Sequence, residues 1–260
     1  VSATQEQASR PGAELPLTMS SAMATITRYH GYLWSHVQPL LGARVMEVGV
    51  GFGHYTRRML SEGRRVLGCD LDAGHLEDLR RSAASPLLET LRLDLEEPGP
   101  SRAAAAAFSP DTVVLLNVLE HIRAHEAALA FLRGVAAPGA ALVLIVPAMQ
   151  PLFNGLDREA GHQRRYSRAS LAAAMRAAGW GVERARYINL PGVPGWLAAG
   201  WLGRARHAGA QLDAPSTNAL LRVYDRFFVG VSRLTDPLCS GIAGLSVLAV
   251  GRNREGAPAP

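Results

Sequence analysis

The sequence predicts an α/β fold, a mostly parallel sheet with helices on both of its faces. Three observations carry the prediction. Short apolar runs of strand length alternate with helix-length segments from about residue 44 onward, the pattern of βαβ units. The first run, Val45-Met46-Glu47-Val48, passes directly into Gly49-Val50-Gly51-Phe52-Gly53. Missing Cβ atoms there let a ligand lie on the backbone and let helix-start N–H groups face it. Later runs end in acids, at Asp70 and Asp94, and right-handed crossovers put such strand ends on one edge, where ligands bind.

The elements follow in order. Residues 1–17 are small and polar, broken by Pro11-Gly12 and Pro16, and read as a disordered tail. A helix capped by Ser20 or Ser21 reaches Val37, with Ile26, Tyr29, Leu33 and Val37 at helical spacing. Pro39 to Gly42 turn the chain into the first strand. A helix is expected over 54–62, a strand over 65–69, a helix over 73–82 and a strand over 90–94. The fourth strand opens the run Thr112 to His121. A helix over Ala124 to Ala136 stops at Pro138-Gly139, and Ala141 to Val146 is the fifth strand. Pro147 to Tyr166 is a long connection. Ser167 caps a helix through Ala178 that Gly179 ends. Val182 to Ile188 and Leu245 to Gly251 are the sixth and seventh strands. The roughly fifty residues between them exceed any ordinary connection, so 190–243 read as a partly helical cap on a domain of 18–189 and 244–252. Residues 253–260 read as a second disordered tail.

The glycine turn does not fit two familiar alternatives. A phosphate loop needs Gly-Lys-Ser/Thr, but Gly53 precedes His54 and Tyr55. The dinucleotide pattern Gly-x-Gly-x-x-Gly, begun at Gly49, meets His54 where its last glycine belongs. What stands here is Glu-x-Gly-x-Gly-x-Gly. Asp70 follows Gly51 by 19 residues, the distance at which a βαβ unit places a carboxylate over a ribose diol. Asp70 and Asp94 are also of the type that caps a following helix.

This ordered set of strand ends, over residues 40 to 190, resembles the class I S-adenosylmethionine-dependent methyltransferases. The resemblance implies a Rossmann-like seven-stranded, mostly parallel sheet with an antiparallel last strand, and S-adenosylmethionine as cofactor. It implies that Gly49, Gly51 and Gly53 carry the methionine part, with Glu47 supporting the turn. Asp70 takes the ribose hydroxyls, with Leu71 beside it. Asp94 and Leu95 meet the adenine, and Asn117 and Val118 lie by the methionine and sulfonium. Tyr29 completes the expected cofactor set. A ligand with a carboxylate, an ammonium, a diol and a flat base but no phosphate suits an acidic rather than a lysine-rich lining.

Two segments bear on the acceptor. Leu156-Asp157-Arg158-Glu159-Ala160-Gly161-His162-Gln163-Arg164-Arg165-Tyr166 resembles a Leu-Asp-x-x-x-Gly-His-x-Arg-Arg-Tyr pattern in a bacterial branch of these enzymes. His162, with Tyr166, is the catalytic candidate, since an imidazole suits proton transfer near neutrality. The bland reading makes His162, Arg165 and Tyr166 a hydrogen-bonded loop clamp. The second segment, Tyr187 to Leu202, holds Trp196 and Trp201 between helix breakers. It walls an apolar acceptor pocket, touches a membrane surface, forms a subunit contact or simply packs the cap. Phe227, Phe228 and Val231 read as core. Glu120 and His121, with His162, have the types of a divalent-metal site, but the reading adopted is no metal, with His121 starting a helix and lining the pocket.

Composition narrows the partners. The chain has 260 residues, 48% of them hydrophobic, and a net charge of +5, enough for one α/β domain with a cap. All 27 basic residues are arginine, and they are scattered, not clustered into a nucleic-acid footprint. Cys69 and Cys239 make no disulfide framework. No apolar run approaches a membrane span, and no signal pattern opens the chain. The expectation is therefore a cytoplasmic enzyme that methylates a small-molecule or lipid-like acceptor, without nucleic acid as partner. An RNA methyltransferase is the alternative. Asn117-Val118-Leu119-Glu120 departs from the Asn/Asp-Pro-Pro-aromatic motif of enzymes that methylate base amino groups. A non-methylating protein on the same fold is the third reading.

Overall fold

The computed structural model describes residues 26–205 and 222–254, with the side chains of 201–205 left out of the description. The predicted tail 1–17, the predicted helix start at Ser20 or Ser21, most of the tail 253–260 and the Trp201 side chain lie outside the described residues.

Short stretches rich in Val, Leu and Ile form the strands, as side chains that pack well on a pleated surface should. The order along the chain is α1 (Thr27–Val37), β1 (Arg44–Val48), α2 (His54–Ser61), β2 (Arg65–Asp70), α3 (Ala73–Ser82), β3 (Leu88–Arg92), α4 (Arg102–Phe108) and β4 (Thr112–Leu116). There follow α5 (His125–Val135), β5 (Ala141–Pro147), α6 (Gly155–Glu159), α7 (Arg168–Ala177), β6 (Gly181–Ile188), α8 (Gly192–Ala205), a π turn Tyr224–Phe228, α9 (Val229–Cys239) and β7 (Ser246–Arg252). The seven strands lie in the order β3-β2-β1-β4-β5-β7-β6. β1 pairs in parallel with β2 and β4, β4 with β5, and β2 with β3, while β7 is antiparallel to both β5 and β6.

Alternation along β1 shows how the two cores form. Val45 joins Tyr32, Leu33, Met59, Val114 and Ile145 on one face. Met46 joins Leu67, Leu115, Leu129, Leu132 and Trp180 on the other. β5 is buried at every position, as a central strand covered on both faces must be. Strand order reverses between β1 and β4, so the crevice beyond their carboxyl ends is the expected ligand site. The glycine turn and Asn117-Val118 lie there.

Several boundaries differ from expectation. β3 ends at Arg92, so Asp94 sits in the loop beyond it. The alanine-rich helix α4 was not anticipated, because its seven residues lie in a span without a clear apolar period. His121 does not start a helix: it closes a 3₁₀ turn, Leu119–His121, and α5 begins at His125. Asn253 lies past the predicted domain boundary, yet its side chain donates to the carbonyls of Arg133, Ala136 and Ala137 at 3.1–3.2 Å. Phe227, Phe228 and Val231 were expected in the core and are exposed (62, 45 and 42%). Helical spacing fixes which residues share a face, not which face meets the protein.

The described segments between β6 and β7 are anchored through buried polar groups. Asp236 accepts hydrogen bonds from the Tyr32 hydroxyl and, at 2.8 Å, from the Asn189 N–H, with His36 Nε2 at 3.2 Å. Asn189 has φ of 64°, a region Asn tolerates better than most residues. Its side-chain oxygen accepts from the Tyr224 hydroxyl and the Gly192 N–H. These bonds hold α8, the π turn and α9 against α1 and β6.

Candidate functional site

The glycine turn is built by β1 and β2 together. Gly49, Gly51 and Gly53 have φ of 79°, 48° and 70°, values that favour glycine. A Cβ on Gly49 would lie 2.4 Å from Val118 Cγ2, so Val118 of the β4 loop rests on this turn. A Cβ on Gly53 would lie 2.7 Å from Leu79 Cδ1, so Gly53 lets α3 pack closely. The N–H groups of the three glycines are used inside the protein, ahead of the α2 start at His54 whose N–H groups were expected to face a ligand. Gly49 donates to the Cys69 carbonyl (2.8 Å), Gly51 to Asp70 Oδ2 (3.0 Å) and Gly53 to the Val50 carbonyl (2.8 Å). These glycines supply backbone shape and space; their hydrogens hold the turn together.

Asp70 ties two loops at once. Oδ2 accepts from Gly51, and Oδ1 accepts from the Asp72 N–H at 3.0 Å, with His75 Nδ1 at 3.5 Å. Asp72, not Asp70, caps α3, by accepting from the Gly74 N–H. Each carboxylate oxygen has a second lone pair, so Asp70 keeps acceptor capacity for a diol. Asp94 accepts from the Glu96 N–H at 2.8 Å in a local turn. Leu95 is buried in the core and Leu71 is exposed. Asn117 has φ of 55°, and its N–H is held by the Ile145 carbonyl at 2.8 Å.

A cavity of about 220 Å³ lies beside the turn. Of the predicted cofactor residues, Tyr29, Glu47, Gly49 and Asn117 line it, together with His162 and, from the cap, Trp196. Gly51, Gly53, Asp70, Leu71, Asp94, Leu95 and Val118 are not part of its lining. Tyr166 is not either. It is buried, and its hydroxyl pairs with His125 Nδ1 at 3.0 Å, which makes it a packing and positioning residue, contrary to the expected catalytic role. A separate open depression lined by Arg102, Phe131 and Asn253 lies by the loops that lead into the parallel strands, away from these groups.

Two buried carboxylates face or flank the cavity. Burial pushes the Glu47 carboxyl up to about 8, against the hydrogen bond it accepts from the Thr56 hydroxyl and with the Asp70 charge adding to the rise. Glu120 is 0% exposed, and neither of its oxygens has a hydrogen-bond partner among the described residues. Burial raises it to about 7, with the neighbouring His162 pulling the other way. His162 Nε2 lies 3.9 Å from Glu120 Oε1. Burial, with His162 adding, lowers His121 to about 4.

His162 is oriented from behind. Its Nδ1 is 2.8 Å from Asp157 Oδ1, which also accepts from Arg165 Nε at 2.9 Å. Burial alone would raise Asp157, but the hydrogen bonds from His162 and Arg165 and the Arg165 charge outweigh it and hold the carboxyl below its usual range. Asp157 also closes the capping box of α6 by accepting from the Asn154 N–H. A carboxylate can only accept, so the proton stays on Nδ1 and Nε2 points its lone pair toward the cavity. The clamp of His162 with Arg165 therefore exists, without Tyr166, and Arg165 also stacks over the Trp196 ring at 4.5 Å. Glu120, His121 and His162 bring one ligand atom each within 4.8 Å of one another, a grouping whose types also suit a divalent cation. Sequence reasoning missed His30, whose ring stacks on His54 at 4.4 Å and pairs with the Tyr55 hydroxyl at 2.9 Å. Nothing in the local pattern marks it, since a histidine inside an amphipathic helix is unremarkable until the neighbouring helix is placed.

Glu120→Gln tests the buried carboxylate. A carboxyl raised by burial stabilises the fold below its unfolded value near 4.5, and that contribution is lost as pH rises through about 7. Thermal unfolding should show the two proteins close together at acid pH and the variant more stable at alkaline pH, by on the order of 3 kcal/mol. A gap that does not change with pH would mean that Glu120 is ionised throughout.

The sheet order, the glycine turn at the β1–β4 reversal and the acid at the β2 end define a class I methyltransferase architecture. The pattern of the methyltransferase domain family matches residues 46–142, and the chain has the fold of the S-adenosylmethionine-dependent methyltransferases. It is similar to a tRNA U34 carboxymethyltransferase from a Geobacter species, 34% identical over 116 residues, which are 43% of this chain and 34% of the relative. It is also similar to the S-adenosyl-L-methionine-dependent Diels-Alderase iccD of Talaromyces variabilis, 32% identical over 111 residues, 42% of this chain and 38% of the relative. The chain thus matches only about a third of the length of these curated relatives. The solved S-adenosylmethionine-dependent methyltransferase from Mesorhizobium loti shares the fold, with a TM-score of 0.56 at 14% identity over 86% of this chain and 99% of that one. The tRNA relatives leave the expected exclusion of nucleic acid without support. Among the described residues, no helix is long and apolar enough to cross a membrane.

The residues present fit S-adenosylmethionine. Gly49 lines the cavity with backbone alone, Asp70 retains acceptor capacity, and Glu47 puts a carboxyl on the cavity wall. The arginine lining the cavity, Arg165, is engaged by Asp157 and by the Ala148 carbonyl.

Proposed function

We propose that the protein transfers the methyl group of S-adenosylmethionine to a small, apolar or lipid-like acceptor held between the glycine turn and Trp196. The observation that carries the reading is a single cavity lined by Glu47, Gly49 and Asn117 on one side and by Glu120, His162 and Trp196 on the other. When bound, S-adenosylmethionine supplies a methyl group already activated on a sulfonium. Gly49, Gly51 and Gly53 shape its cradle, Asp70 with Leu71 beside it accepts from the ribose hydroxyls, and Asp94 with Leu95 borders the base. Glu47, Tyr29, Asn117 and Val118 close the methionine side. The chain's main task is alignment of the acceptor, which can account for much of a barrier reduction. His162, held by Asp157, accepts the acceptor's proton at Nε2, and buried Glu120 beside it stabilises the resulting imidazolium. Trp196, pinned by its indole N–H to the Leu152 carbonyl at 3.1 Å and by Arg165, supplies an apolar wall.

Calorimetric titration should give stoichiometric S-adenosylmethionine binding, and turnover should release S-adenosylhomocysteine. Trp196→Ala should raise the acceptor KM severalfold while cofactor affinity holds. A large fall in melting temperature with unchanged kinetics would return Trp196 to packing. An RNA acceptor is the second reading, favoured by the tRNA-modifying relatives. However, the family match stops at residue 142, before His162 and Trp196. Retention of tRNA on a filter, competed by no small acceptor, would support it. Cofactor binding with no methyl release would favour a non-methylating role, as the name of the Diels-Alderase relative illustrates for that protein.

A further inference from the structure

The segment from Arg222 to Ile242 buries one side only. Val229, Ser232 and Asp236 face the protein. The opposite side presents Val223, Phe227, Val231, Leu234 and Leu238, continued by Ile242, all 42–80% exposed. Their spacings of three and four residues place them in one stripe. A lone exposed apolar side chain needs no explanation, but an aligned row of them does.

The charge beside the stripe is of one sign. Arg222, Arg226 and Arg233 are exposed, and their spacings of four and seven residues put them along one flank. The acids of the segment turn inward. Asp225 accepts from the Tyr29 N–H at 2.7 Å and the Arg28 N–H at 3.4 Å, and Asp236 is 3% exposed. From 222 to 242, then, the outward surface is apolar and positive with no exposed acid.

We propose that this face docks on an anionic bilayer surface, with the arginine flank at the lipid phosphates and the stripe in the headgroup–acyl boundary. Charge complementarity selects this occupant. A second copy meeting the same face about a two-fold axis would bring two arginine rows together with no exposed acid between them. The helix is too short to span and suits an in-plane position. The face also adjoins the cavity: Phe228 stacks on Tyr224 at 6.4 Å, and Tyr224 meets Tyr29, a cavity residue, edge-on at 6.0 Å. Docking in this way does not depend on the proposed acceptor.

The test is sedimentation of the whole protein with vesicles of phosphatidylcholine alone or mixed equally with phosphatidylglycerol. The protein should pellet with the mixed vesicles, stay in solution with the neutral ones and be released by high salt. Leu234→Glu with Leu238→Glu should abolish pelleting, and Arg226→Gln with Arg233→Gln should weaken it about thirtyfold. Melting temperature and S-adenosylmethionine affinity should be unchanged in both variants. Failure to pellet with either vesicle, or equal pelleting with both, would overturn the proposal. A concentration-dependent dimer lost in Leu234→Glu, without vesicle binding, would overturn it too and assign the face to a second copy.

Discussion

His162→Ala should lower kcat by roughly 10²–10⁴, the usual worth of a positioned base, while S-adenosylmethionine affinity scarcely moves. Asp157 fixes the imidazole from behind and leaves Nε2 toward the cavity, 3.9 Å from Glu120, so deletion removes the group best placed to take a proton. The fold should survive, because Arg165 continues to pair with Asp157 and the α6 capping box does not involve His162. In the wild type, rate should rise with pH through neutrality. That limb reports the ionisation of Glu120, which burial raises to about 7, beside the imidazole that takes the proton. In the variant the limb should change in position or disappear. A raised KM with the limb intact would mark His162 as a loop clamp. Nearly unchanged kinetics would point to an acceptor that loses no proton at attack. Loss of wild-type activity on chelation, restored by a divalent cation, would reassign Glu120, His121 and His162 to a metal.

Asp70→Ala should weaken S-adenosylmethionine binding by roughly 1.5–3 kcal/mol, the range for hydrogen bonds to a charged group, which is about tenfold to more than a hundredfold. The argument has two parts. The carboxylate is the proposed acceptor for two ribose hydroxyls, and it also receives the Gly51 and Asp72 N–H groups. Its removal therefore loosens the turn as well as the ligand. Asp70→Asn keeps one acceptor oxygen and should fall between the two. α3 should remain folded in each case, because Asp72 caps it. Calorimetry showing full affinity in a folded Asp70→Ala protein would sink the assignment.

Much of this protein is determined by local sequence. The strand periods, the helix over 73–82, the Ser167 cap with Gly179 after it, and the glycine turn with its acids at the strand ends are local patterns. Backbone geometry and burial allow few other readings of them. The resemblance then supplied the antiparallel seventh strand, which the pairing of β7 with β5 and β6 bears out.

Other features required the tertiary structure, because they depend on which distant groups meet. The N–H groups of the three turn glycines meet Cys69, Asp70 and Val50, from β2 and from the turn itself, partners that no local pattern announces. Tyr166 shares a motif with His162, yet the two point to different neighbours, since side chains four residues apart on a loop face sides that spacing does not reveal. Burial of Glu120, with both oxygens unpartnered among the described residues, follows from the packing of the loop after β5 over the end of β4. The apolar stripe of Phe227, Phe228 and Val231 was legible as a stripe. Whether it faced the core or the surroundings was decided only when the other side of the helix, with Asp236 and Ser232, was claimed by hydrogen bonds to α1 and the end of β6.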